Sequence, residues 1–494
     1  MLINRRGLAT RTGARLHAIG ILAVSVALIA ACQSGAPAPA PQEQPTNAAV
    51  GPTTAPAARP KVEQQPIAGG PVLLRDGIKL RKVVDVEGGS IRMARDPASG
   101  EIFLLNPQTG LYRVKFDPPA SATQAVKTTD IITDGVPSGM AFGQDGTLFV
   151  VANRTVGSTR TQAVIRRGVA SSGGFNWETL AQTEPYPLSD TPFDHLYNGI
   201  VVSPDGKSIF VNAGSRTDHG EVEDNNSAFP DTREVPLTSA ILRLPADARN
   251  LLLPNDEAAL KPYLFADGTR NAYDPAFAPN GELFVGDNGP DADYPDELNW
   301  LRAGQHYGFP WRFGNQDNPQ QFADYDSSKD KRLQKDFTAV QKGTYRNDPS
   351  FPKPPGAFTD PVANHGPDAA QYRSDDGQAH DAAAEGKLLY SFTPHRSPLG
   401  LVFTDDAKMP ADLRGQGDTL SAFIVSWGAA GGTLTDRGED LLHLQLTKQG
   451  DNYEAVTTQI ARGFKNPIDA VMIENRLYVL EYGSGSAIWE LTFQ

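Results

Sequence analysis

Residues 199–211 read GIVVSPDGKSIFV, two apolar runs joined by Pro204-Asp205-Gly206. Asp-Gly between apolar strands is the strongest short-range hairpin signal, because both central positions of such a turn tolerate positive φ. The same phrase recurs as GMAFGQDGTLFVV at 139–151 and DPAFAPNGELFVG at 274–286, with starts 60 and 75 residues apart. A hairpin repeated at this spacing marks a repeat architecture.

Weaker copies flank the three. They are Ser90–Leu105, Gly400-LVFTDD running on to Ala422-FIVSW, and Ile468–Leu480. After most copies comes a further β-branched or Leu-rich strand: Leu111–Val114, Ala240–Leu244, Leu441–Leu446 and Ala487–Leu491. Six copies of a multi-stranded unit in an all-β chain predict a six-bladed β-propeller. A large β-sandwich is the rival, and regular repetition with long connections fits it less well. The 47 Gly and 39 Pro, with few long helical patterns, agree with one large repeat fold spanning 67–494. An early strand at Ile78–Val86 is expected to pair with the last blade, closing the ring and removing free sheet edges. Residues 313–390 break the rhythm. They are polar, rich in Asp, Gln and Pro, and read as an insertion over one face, with a short helix near Asp330–Lys342. Such an insertion is either a wall or lid of a site or a passive decoration.

Ahead of the ring, residues 1–31 hold four arginines, no acid, and an uncharged run from Ala18 to Ala31. That run is too short to span a bilayer and reads as a signal peptide. It ends Leu28-Ile29-Ala30-Ala31-Cys32, similar to a bacterial lipoprotein cleavage box, and Cys32 is the only cysteine of the chain. Lipidation of Cys32 is therefore expected, against the alternative of a buried structural thiol. Residues 32–66 are Pro/Ala-rich and cannot bury a core, so they read as a disordered tether. The protein is expected to be exported and anchored to the cell envelope through lipid alone. Its net charge is −13, and −17 without the four signal-peptide arginines. That balance argues against nucleic acid or an anionic membrane surface as a partner.

The chemistry-bearing residues gather at the starts of the repeats. Asp194-His195 precedes the strand of the third copy, where propeller loops reach the central channel. A carboxylate beside a histidine can orient a general base, although a lone histidine more often satisfies a local turn. Arg270-Asn271 stands at the equivalent place one repeat later, and an arginine there can polarise a carbonyl oxygen; alone, the pair is an ordinary surface turn. Gly289-Pro290 follows in a turn that carries Asp287, Asp291, Asp293, Asp296 and Glu297. Five carboxylates within eleven residues repel one another unless a cation or ordered water compensates, and a Gly-Pro turn can offer backbone oxygens to calcium. The bland alternative is a solvated acidic loop.

These segments resemble the glucose/sorbosone dehydrogenase family, sugar dehydrogenases that use pyrroloquinoline quinone on a six-bladed propeller. The resemblance covers most of 75–494. Asp194-His195 with Asn198 is similar to the segment carrying the family's catalytic histidine. Arg270-Asn271 is similar to the segment that touches the quinone, and Gly289-Pro290 to the turn that holds calcium. Tyr307-Gly308-Phe309-Pro310 and His395-Arg396-Ser397-Pro398-Leu399-Gly400 add to the likeness. The resemblance implies that His195, oriented by Asp194, removes a proton from the C1 hydroxyl of an aldose or an aldehyde hydrate. Hydride would pass to the quinone, with Arg270 and Ca2+ stabilising the growing negative charge, and electrons would leave to an exported acceptor. Arg270, Asn271, Lys465 and Arg396 are the expected cofactor contacts, and Gly289, Pro290, Asp296 and Glu297 the expected metal neighbourhood. The chain departs from the family at Lys465-Asn466-Pro467-Ile468-Asp469, which lacks an arginine pair, and near Trp427-Gly428-Ala429, which lacks a lysine. Two other readings stand beside this one: a non-catalytic ring that binds carbohydrate or protein, and a Ca2+-dependent lactonase.

Overall fold

The computed structural model describes residues 69–116, 118–131, 135–172, 174–428 and 431–494. The expected signal peptide (1–31), Cys32 and the tether (32–66) lie outside the described residues. At Asp205-Gly206 the turn forms as its sequence predicts. Gly206 takes φ +71°, and Val202 pairs with Ile209 across the hairpin.

Six such units stand side by side as the blades of a β-propeller. Blade one contains Arg92–Arg95, Ile102–Asn106, Gly110–Lys115 and Ser121–Lys127. Blade two contains Val136–Phe142, Leu148–Val156, Arg160–Ser171 and Gly174–Thr183. Blade three is built from Tyr197–Val202, Ser208–Ala213, Ala240–Pro245 and Leu264–Asp267. Blade four has three strands, Ala276–Phe277, Leu283–Asp287 and Glu297–Leu301. Blade five runs Pro398–Thr404, Thr419–Ser426, Asp440–Gln449 and Asn452–Arg462. Blade six takes Pro467–Ile473, Arg476–Glu481 and Ala487–Phe493 from the end of the chain, and its outermost strand, Ile78–Asp85, from the beginning. That strand pairs antiparallel from Ile78↔Phe493 to Asp85↔Ala487, so the ring closes on hydrogen bonds.

Apolar side chains from facing blades fill the wedges between them. Phe103, Leu105, Met140 and Val150 pack blade one on blade two, and Val151, Ile165, Ile200 and Val211 pack blade two on blade three. Toward the axis the blades converge and space runs out. A Cβ on Gly139 would lie 1.7 Å from the Asn198 carbonyl oxygen, so only glycine lets the first strands of blades two and three approach so closely. Arg92 reaches from blade one toward blades two and four. Its Nε donates to the Ser138 carbonyl (3.1 Å), its Nη2 donates to the Tyr273 carbonyl (2.8 Å), and its guanidinium lies 3.5 Å over the Tyr273 ring. This layer ties three blades together beneath the site.

The helix expected at Asp330–Lys342 is confined to Thr338–Lys342. Upstream, long-range partners take the backbone and side chains: the Arg332 carbonyl accepts from Asp293 N (2.9 Å), and Gln334 donates to the Asp293 carboxylate. A helical turn would withdraw that carbonyl for a residue four positions on. The insertion also covers sheet edges. Val362 N donates to the Leu298 carbonyl on blade four, and Ala363–Pro367 pairs parallel with the outer strand of blade five.

Candidate active site

In each blade, the link into the first strand and the link between the second and third strands emerge on the same face. The cavity at the centre of that face draws on these links and on the strand ends that adjoin them. Its lining includes Ile91 and Gln108 of blade one, Asn153 of blade two, and Phe193, His195 and Asn198 of blade three. Blade four supplies Arg270, Asn271, Asn288, Gly289, Asp291 and Asp296, while His395, Ser397 and Tyr482 close the circle from blades five and six.

His195 is buried, and its partners determine which nitrogen carries the proton. Its backbone N donates to the Ser215 carbonyl (2.9 Å), and Nδ1 lies 3.1 Å from Ser215 Oγ. Ser215 has one hydroxyl proton and donates it to the Thr217 carbonyl (2.9 Å). Its oxygen therefore accepts from Nδ1–H, and Nε2 is left as the unprotonated nitrogen. Burial first, and the nearby Arg270 second, hold the imidazole well below its ordinary pKa. The residue is a neutral base at neutral pH.

Asp194 does not orient this histidine. Both of its carboxylate oxygens accept from Ser189 N (2.9 Å each), which turns the group into the preceding loop. Burial there raises its pKa to about 7. The carboxylate next in sequence is thus replaced by a hydroxyl twenty residues on, because the hairpin of blade three brings Ser215 back beside His195.

Arg270 points into the same cavity with every nitrogen engaged. Nε donates to the Asp218 carbonyl (2.8 Å), Nη2 to Asp218 Oδ1 (2.7 Å), and Nη1 to the Asn288 carbonyl (3.2 Å). Burial would raise the Asp218 carboxyl, but Arg270 and His219 hold it well below its usual range. Asn271 accepts from Asn198 Nδ2 (2.8 Å) through Oδ1. Asp287 anchors both residues by accepting from the Arg270 and Asn271 backbone N–H groups (2.9 and 2.6 Å).

The acidic turn resolves its repulsion with protein donors. Asp291 accepts from Ala339 N (3.1 Å), and Asp293 accepts from Gln334, Arg373 (2.9 Å) and His395 Nε2 (3.0 Å). Asp296 accepts from Gly289 N (2.7 Å) and Ser397 N (2.8 Å), and Glu297 from Asn299 Nδ2 (2.9 Å) and Gly314 N (2.7 Å). Burial pushes the Asp287, Asp291, Asp296 and Glu297 carboxyls upward as well. Gly289 and Asp296 line the cavity, whereas Pro290 and Glu297 stand behind the lining. The Pro290 carbonyl already accepts from Ala292 N (2.7 Å), while Asn288 Oδ1 is buried without a hydrogen-bond partner. Among the described residues no group of three or more His, Cys, Asp or Glu side chains is arranged to hold a metal.

Two expected cofactor contacts fall elsewhere. Arg396 is buried in blade five, where it grips Asp440 (2.6 and 2.7 Å) and Asp436, outside the cavity lining. It follows His395 in sequence, but the left-handed backbone at His395 (φ +63°) and Ser397 (φ +51°) turns the neighbours apart. Lys465 is exposed and does not line the cavity either; its backbone N donates to Glu481 (2.8 Å).

A family model described as Glucose / Sorbosone dehydrogenase matches residues 132–340, the part of the chain that holds His195, Arg270 and the acidic turn. Quinoprotein glucose dehydrogenase B of Acinetobacter calcoaceticus is 24% identical over 265 residues, which are 48% of this chain and 51% of that protein. The chain thus spans about half the length of this curated relative. A crystal structure of glucose dehydrogenase superposes with a TM-score of 0.54 at 15% identity, covering 83% of this chain and 99% of that one. The apo form of the soluble aldose sugar dehydrogenase from Escherichia coli gives 0.53 at 14%, covering 84% and 100%. At these identities the two structures speak for the fold. Together the comparisons place the chain among six-bladed propellers that resemble sugar dehydrogenases.

Proposed function

We propose that the protein is an exported oxidoreductase that oxidises an aldose sugar or an aldehyde hydrate. The observation that carries this reading is the pairing of a neutral His195, with Nε2 unprotonated, and the Arg270 guanidinium in one central cavity. Nε2 accepts the proton of the hydroxyl on the carbon to be oxidised. Arg270 lies ready for the oxygen on which negative charge grows. The hydride from that carbon passes to a two-electron acceptor seated in the same cavity, leaving a lactone or an acid.

Pyrroloquinoline quinone is the acceptor that the quinoprotein relative suggests, Ca2+ is added by the family resemblance of the Gly289-Pro290 turn alone, and the cavity fits the pair in part. Gly289 and the unpartnered Asn288 Oδ1 supply oxygens at the edge where Ca2+ would sit. The quinone's three carboxylates are met less well. Arg270 is the one arginine or lysine among the described lining residues, and it is already paired with Asp218. Arg216, buried nearby, donates to the carbonyls of Leu188, Glu223, Thr232 and Arg233 and does not line the cavity. The same shortage of cations favours a second reading, a non-catalytic ring that binds carbohydrate or protein.

The deciding experiment titrates the signal-free protein with pyrroloquinoline quinone and Ca2+ and follows dye reduction across a panel of aldoses and aldehydes. Stoichiometric binding with dye reduction is the expected result. A folded protein that binds no quinone and reduces no dye would leave the binding module as the better reading. The anchor has its own test: Cys32→Ser should move the protein from the membrane fraction to the soluble exported fraction, and retention in the membrane would refute lipidation at Cys32.

A further inference from the structure

The insertion does more than cover blade edges. Asp218, which fixes two of the three Arg270 nitrogens, is itself held from behind. Its carboxylate accepts from Asp291 N (3.0 Å), lies 2.7 Å from His219 Nδ1, and accepts from the Tyr345 hydroxyl (3.2 Å). Tyr345 belongs to the insertion, and its ring stacks on His219 at 3.7 Å between centroids with 17° between planes. Asn318, also of the insertion, donates to the His219 carbonyl (2.9 Å), and Ala339 N caps Asp291 on the other side of Asp218. Asp218, His219 and Tyr345 are all buried. Nothing in this arrangement touches the cavity except Arg270 and Asp291.

We infer that the insertion sets the position of the active-site arginine, with Tyr345 as a positioning residue that acts on Arg270 through Asp218. A buried carboxylate holding four donors has a fixed direction. Without the hydroxyl it keeps its charge but gains a free lone pair, and the Arg270–Asp218 pair can rotate. The inference rests on the proposed function only for its effect on turnover; the geometric part stands apart.

The test uses the full folded chain, 15N-labelled at arginine, and follows the solvent exchange of the Arg270 Nε–H, assigned by its disappearance in Arg270→Lys. Tyr345→Phe keeps the stack on His219 and removes only the hydroxyl. The Arg270 Nε–H, held by the Asp218 backbone carbonyl, should exchange about tenfold faster than in the parent once the Asp218 carboxylate beside it has lost one of its four donors. Asn318→Ser frees the His219 carbonyl without touching Tyr345, should produce the same acceleration, and serves if Tyr345→Phe does not fold. Unchanged exchange in a folded variant would overturn the inference. In dye-linked assays Tyr345→Phe should lower kcat with little change in KM, and His219→Phe should not restore it. If the parent oxidises no sugar, the proposed function fails while the exchange measurement still decides the role of Tyr345.

Discussion

A single proton decides what His195 can do. Because Ser215 gives its only hydrogen to Thr217, the histidine must keep its proton on Nδ1 and turn a lone pair toward the cavity. Ser215→Ala removes that constraint while leaving the backbone bond to His195 in place. We expect kcat to fall about tenfold with KM nearly unchanged, against a loss of at least about a hundredfold for His195→Gln. Equal rates for Ser215→Ala and the parent in steady-state assays would mean the tautomer is set by other groups. His195, Arg270 and Gly289 were legible in the sequence because each opens or follows a repeat whose hairpin announces itself. Their partners were not. Ser215 and Asp218 lie in the long loop after the second strand of blade three, and Tyr345 in the insertion, where no local pattern says which residue folds back onto which. Adjacency misled at Asp194 and again at Arg396: neighbours in sequence leave a turn in opposite directions.

At the level of elements, the loops feeding the cavity hold carboxyls that burial drives toward their neutral form. Asp194 and Glu223 both have a pKa of about 7, with burial as the leading cause. A carboxyl whose folded pKa lies above its unfolded value stabilises the fold below the unfolded pKa, and that contribution is lost as pH rises through the folded value. His195 works in the opposite sense: its depressed pKa costs stability as pH falls below the ordinary histidine range. The Tm of the metal-free protein should therefore decline as pH rises through about 6 to 7.5 and level off above about pH 8, and Asp194→Asn should flatten part of that decline. A Tm that is flat or rising over this window, followed by calorimetry, would contradict the protonated assignment. The hairpins themselves were readable from Asp-Gly and Asn-Gly turns between apolar strands. The helix was misread in extent because Arg332 and Gln334 answer to Asp293, forty residues earlier, rather than to their own turn.

For the whole molecule, the ring depends on a strand supplied from far away in the chain. Removing residues through Asp85 would leave blade six with three strands and bare the edge of Ala487–Phe493, whereas removing residues through Ala68 would leave every described pairing intact. We expect the longer truncation to lose about 10 °C or more in Tm, or to aggregate through the open edge, and the shorter one to match the parent. Comparable melting of both proteins would show that closure contributes little.

The position of that closing strand also bears on how the protein is held in place. Val72–Leu73 lies along the outermost strand of blade five, and Ile78–Asp85 is the outermost strand of blade six. Whatever precedes Gly69 is therefore fastened to the rim of a wheel and not to its hub. Were the protein anchored through those residues as proposed, a disc leashed at its edge could tip and swing without drawing its centre, and the cavity at His195, against the surface that holds the leash.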